Sequence, residues 1–178
     1  DIRSLRFESD RVVRTDRSKN PVTITVKPDF TRNDQRAVFY MDTNGWTSIA
    51  STELINPWWQ GDYAYVNFTY VPTGLKALPN KEIYLVGQLT GHTLGDTAKM
   101  EFDPNVGAYT RTLLLKQGFY NYTYLTKELG APFYTASFAP TEGNFWETEN
   151  DYTVFYYYRS LGGRHDELIG FAKVNSRN

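Results

Sequence analysis

The sequence predicts an all-β sandwich, and three observations carry that expectation. Apolar residues recur with period two through most of the 178-residue chain. Gly, Pro, Asn and Asp clusters interrupt them at short intervals. No segment sustains a helical period with caps; the best candidate, around Thr52-Glu53-Leu54-Ile55, is one turn long.

The elements follow in order. DIRSLRFES alternates like a strand from the first residues. In PVTITVKP, Val22, Ile24 and Val26 share one face and Thr23, Thr25 and Lys27 the other, the pattern of a half-buried strand. DYAYVNFTYV divides into Tyr63, Tyr65, Asn67 and Thr69 against Ala64, Val66, Phe68 and Tyr70. EIYLVGQL is a short strand of the fully buried type. GAYTRTLLL and GFYNYTYL are separated by Lys116-Gln117-Gly118, which reads as a tight hairpin. DYTVFYYYR and DELIGFAKV form a last hairpin across residues 161–165. A boundary is expected near residues 56–62. It separates an N-terminal strand region, 1–61, from a sandwich domain, 62–178, although those first strands could equally belong to the sandwich.

Composition narrows the function classes. A net charge of −1 disfavours nucleic acid, which needs a basic face. The absence of cysteine removes disulfides, thiol nucleophiles and thiolate metal sites. No apolar run is long enough to span a bilayer as a helix. His92 and His165 sit in turn-like loops and are read as exposed loop residues. TEGNFWETENDY holds Glu142, Glu147, Glu149 and Asp151. Carboxylates two apart on one strand lie side by side and do not flank a glycosidic bond, so no catalytic residue, metal or cofactor is expected. Asn67 and Asn121 match the glycan-acceptor pattern but lie inside predicted strands.

Aromatic residues make up 16% of the chain, with 14 Tyr, 11 Phe and 4 Trp, enough to raise the question of a binding surface. Trp46, Trp58, Trp59 and Trp146 flank turns and the expected boundary. Tyr120, Tyr122 and Tyr124 form one strand face; Tyr152, Val154, Tyr156 and Tyr158 form another. A tyrosine face suits a half-wet surface or a protein interface. The four tryptophans and Tyr120, Tyr122 and Tyr124 are the candidate partner- or ligand-binding residues.

Two resemblances add to this. The segment from residue 62 to about 126, with EIYLVGQLTG and MEFDPNVGAYTRTLLLKQGFYNYTYL, resembles the early-set β-sandwich of glycogen-binding-type carbohydrate modules, which implies an immunoglobulin-like fold. Tyr109, Leu113, Gly118, Tyr120, Tyr122 and Tyr124 match the scaffold of that pattern. Gly91-His92 stands where that family often places a sugar-stacking tryptophan. Over nearly the whole chain, NDQRAVFYMDTNG, IYLVGQLTG, LLLKQGFYNYTYL, EGNFWETENDYTVFYYYR and GGRHDELIG resemble the type IX secretion system plug protein family. That resemblance implies an exported, periplasmic, outer-membrane-associated protein without enzymatic activity. Its partner would be an outer-membrane secretion translocon protein, whose periplasmic end the plug closes. It also implies a further β-domain ahead of DIRSLRF. The other resemblance implies a polysaccharide partner instead.

Overall fold

The computed structural model describes residues 2–33, 43, 45–49, 56 and 61–177. Residues 52–55, the one-turn stretch nearest to a helical pattern, lie outside them, as do Trp58 and Trp59. The chain is an all-β protein that divides into two compact units. Described residues up to Asn144 form one, and those from Phe145 onward form the other.

The larger unit is a sandwich of two sheets. One sheet has the order β1 (Arg3–Arg6), β9 (Phe119–Glu128), β6 (Lys81–Val86). The other runs β2 (Val12–Asp16), β3 (Val22–Val26), β5 (Tyr63–Val71), β8 (Ala108–Lys116), β7 (Glu101–Asp103), with β4 (Asp29–Phe30) also on β5. Period two sets which faces meet. Ala64, Val66, Phe68 and Tyr70 of β5 and Leu113 and Leu115 of β8 point inward from the second sheet. Leu5, Ile83, Leu85, Tyr120, Tyr122 and Tyr124 meet them from the first. Burying each such side chain contributes about 1.5–3 kcal/mol. The rings also interlock: Phe68 meets Tyr122 edge-on at 5.2 Å, and Tyr70 meets Tyr124 at 4.8 Å.

One expectation is corrected here, and one question left open by the sequence is answered. β8 and β9 do not form a hairpin; β8 pairs with β5 and β7, whereas β9 pairs with β1 and β6. The chain at 116–118 crosses from one sheet to the other. Leu115 and Tyr120 therefore face each other through the core instead of lying side by side. A Cβ on Gly118 would sit 2.7 Å from the Ser48 carbonyl oxygen, so the crossing needs glycine. Nor do the N-terminal strands stand apart from the sandwich. β1 pairs with β9 from Arg3 opposite Tyr122 to Arg6 opposite Phe119. β3 pairs in parallel with β5. The core needs both, because Leu5, Ile24 and Val26 fill it from these strands.

The smaller unit contains the ribbon of β10 (Asp151–Tyr158) and β11 (Glu167–Asn175), the last hairpin read in the sequence. β10 is regular. β11 carries a bulge opposite Tyr156 and Tyr157, where pairing steps from Gly170 to Leu168.

Candidate interaction surfaces

Tyr120, Tyr122 and Tyr124 are not a docking surface. They are 4%, 0% and 0% exposed and fill the core, which corrects the partner-binding role expected of them. Their hydroxyls lead to a buried polar cluster around Asp29. The Asp29 carboxylate accepts hydrogen bonds from Tyr122 at 2.7 Å and Tyr124 at 2.9 Å. It also accepts from Arg3 at 3.0 Å and Arg11 at 2.9 Å. Arg3 donates through Nε to both oxygens of Glu142, and Glu142 Oε1 also accepts from the Tyr124 amide. Burial, reinforced by the Asp29 charge, raises the pKa of both tyrosines, so their hydroxyls stay protonated donors. Burial pulls the Arg3 pKa down, but Glu142 and Asp29 outweigh it and the guanidinium stays charged. The cluster ties β1, β4, β9 and the 138–143 turn together. Every charge in it faces an opposite one, as a structural staple requires.

Two aromatic surfaces remain. The first is a groove of about 750 Å³ in the sandwich unit. Val86 and Leu125 line it from the sheet, Leu94 from one loop, and Phe133, Tyr134 and Phe138 from another. Phe133 and Tyr134 are 64% and 89% exposed. His92 lies at its rim with a positive φ of 54°. Trp46 approaches the His92 ring edge-on at 6.3 Å and stays exposed. Thr43 holds this segment by donating its amide to the Asn121 side chain at 2.7 Å. The backbone at Ser48 exchanges hydrogen bonds with Phe119. The sequence reading missed Phe133, Tyr134 and Phe138. Their signal was an aromatic pair directly after Pro132 in an otherwise turn-like stretch.

The second surface is the β10–β11 ribbon. Every residue of β10 is exposed. Tyr152, Val154, Tyr156 and Tyr158 lie on one face with Val174. Phe155, Tyr157, Leu168 and Phe171 lie on the other. Apolar side chains on both faces are the pattern of a strand covered on both sides. Trp146, in the loop before β10, is 90% exposed. The acids beside it are tied locally. Glu149 accepts from Asn175 at 2.6 Å, Asp151 from Asn175 at 3.0 Å, and the Glu147 carbonyl from Arg177 at 3.0 Å. His165 lies 3.5 Å from Glu167 in an open loop. Among the described residues no group of His, Asp and Glu could hold a metal ion. Among them, too, no helix is long and apolar enough to cross a membrane.

No family model and no curated protein sequence matches the chain. Among solved structures it is similar to a hypothetical protein from Parabacteroides merdae ATCC 43184. The two share 30% identity with a TM-score of 0.88, over 98% of this chain and 44% of that one. The chain thus spans less than half the length of that protein.

Proposed function

We propose that this protein is a non-enzymatic, protein-binding β-sandwich that acts by docking. Its partner is an outer-membrane secretion translocon protein whose periplasmic end it closes, as in the plug family that its motifs resemble. The observation that carries the docking role is the β10–β11 ribbon. Large aromatic and branched residues stand exposed on both of its faces, and exposed apolar patches of this kind mark interaction sites. Aromatic anchors carry most of the energy in such contacts. The Asp29 staple and the interlocked core supply the rigidity a steric block needs. The partner class rests on the sequence resemblance. The test is affinity purification from the native envelope, with identification of the captured membrane proteins. Outer-membrane translocon components should be recovered with the native protein and lost with Tyr152→Ser/Tyr156→Ser. Equal recovery with that variant, or no translocon component with either protein, would overturn the reading.

One observation favours a second reading, a carbohydrate-binding module of the glycogen-binding type. The turn at Gly91-His92 lacks a tryptophan of its own, but Trp46 supplies an exposed indole beside it from another segment. Polysaccharide pull-down that is lost in Trp46→Ala would support this reading. No retention on any polysaccharide would end it.

A further inference from the structure

We infer that the edge of β10 away from β11, which no described strand covers, pairs with β10 of a second copy, antiparallel and centred on Phe155, to make one continuous sheet. Three observations point there.

The first is the contrast between the ribbon's edges. Native proteins protect open strand edges with bulges, lysines, inward charges or proline. β11 has such devices: a bulge at Ile169, and Lys173 within the strand. β10 has none. It is eight residues long and regular, with aromatic or β-branched side chains from Tyr152 to Tyr158. Among the described residues it pairs only with β11. A two-stranded ribbon is marginal alone and gains stability from a third and fourth strand.

The second is hydrogen-bond parity. The Ser176 amide donates to the Asn150 carbonyl at 2.9 Å across the ribbon. Even-numbered β10 residues therefore direct their backbone groups toward β11, and odd-numbered ones, Thr153, Phe155 and Tyr157, toward the other edge. A two-fold pairing centred on an odd residue joins outward groups to outward groups.

The third is that β10 is complementary to itself in that register and in no other centred on an odd residue. With Phe155 opposite Phe155, Val154 meets Tyr156, Thr153 meets Tyr157 and Tyr152 meets Tyr158. Asp151 at one end then meets Arg159 at the other, twice by symmetry. Opposite charges and aromatic or β-branched pairs are the favourable cross-strand combinations. Asp151 keeps its contacts with Lys173 and Asn175, and Arg159 keeps Asp166. The pairing uses the edge and leaves both faces open. It therefore stands apart from the translocon reading, and envelope capture can fail while the chain still pairs with itself.

The protein has no cysteine, so single cysteines report proximity without interference. In the proposed sheet two copies of residue 155 are neighbours. Residues 171, one strand further out on each side, are three strand spacings apart, about 14 Å, beyond the ~7 Å Cα limit for a disulfide. Phe155→Cys should oxidise to a covalent dimer, whereas Phe171→Cys should pair in the same way but form no disulfide cross-link. Sedimentation of the unsubstituted protein should show a concentration-dependent species of twice the chain mass. Phe155→Lys, which sets two ammonium groups opposite each other, should abolish it. A monomer at every concentration overturns the inference, as does equal cross-linking at 171. So does a β10 edge that captures a strand of another protein while the chain itself stays monomeric.

Discussion

Replacing Asp29 with alanine should cost the sandwich about 4 kcal/mol, from the geometry around that carboxylate. Asp29 is 4% exposed and accepts from Arg3, Arg11, Tyr122 and Tyr124. Without it, Arg3, itself 3% exposed, keeps Glu142 but loses half of its counter-charge. Removing one partner from a buried ion pair costs about 3–5 kcal/mol. The Tyr124 hydroxyl loses its acceptor in a fully buried position, for about 1–3 kcal/mol more. The Tyr122 hydroxyl still accepts from Arg11 at 2.7 Å, and water entering the vacated space recovers part of the loss. The net therefore falls at the lower end of the summed range, about 4 kcal/mol, a large share of a stability of roughly 5–15 kcal/mol. Guanidinium unfolding followed by near-ultraviolet dichroism, which reads the buried tyrosines, gives the number. Asp29→Asn keeps the shape and loses the charge, and should cost about 2 kcal/mol on the same reasoning. Arg3→Met/Asp29→Leu removes both charges and should lose less than Asp29→Ala alone. A loss below about 1 kcal/mol for Asp29→Ala would refute the view of this cluster as a structural staple.

Other predictions concern the sheet crossing, pH and the groove. Gly118→Ala drives a Cβ against the Ser48 carbonyl oxygen and should cost about 1–3 kcal/mol, whereas Gly170→Ala, with open space around it, should leave the midpoint unchanged. Lys127 first, then Lys99, hold Glu82 down to a pKa of about 2 through hydrogen bonds, from an ordinary 4.5. Because the folded pKa is the lower one, this contribution is complete above pH 4.5 and fades as pH falls toward 2. Glu82→Gln should therefore flatten the acid limb of stability against pH. Tyr134→Ala, at an 89% exposed site, should change the unfolding free energy by less than about 0.5 kcal/mol.

Local patterning made the strand faces legible. Alternation in DYAYVNFTYV and PVTITVKP separates the inward from the outward residues of β5 and β3, because one face of each is buried. The final hairpin was legible differently, from two runs rich in aromatic and β-branched residues on either side of the Gly162-Gly163 turn, since neither face of β10 is buried. Period two cannot tell a hairpin from a crossing between sheets, since both bury alternate residues on either side of a glycine turn. That is why Lys116-Gln117-Gly118 misled. The tyrosine face of β9 was visible as a face, but its direction depends on Asp29, 93 residues from Tyr122, and no local signal links them. Arg3 likewise alternates with exposed neighbours yet lies in the interior, because Asp29 and Glu142 meet it there. The groove is assembled from β6, β9 and two separate loops, so only its aromatic pair after Pro132 was visible in the chain.

The docking account is tested most directly by hydrogen exchange of the β10 and β11 amides with and without solubilised outer-membrane protein from the cell that makes this chain. The account predicts that these amides slow markedly when the membrane fraction is present, while β5 and β8 in the core do not change. Unchanged exchange along the ribbon, or protection confined to the groove around Phe133 and Tyr134, would contradict it.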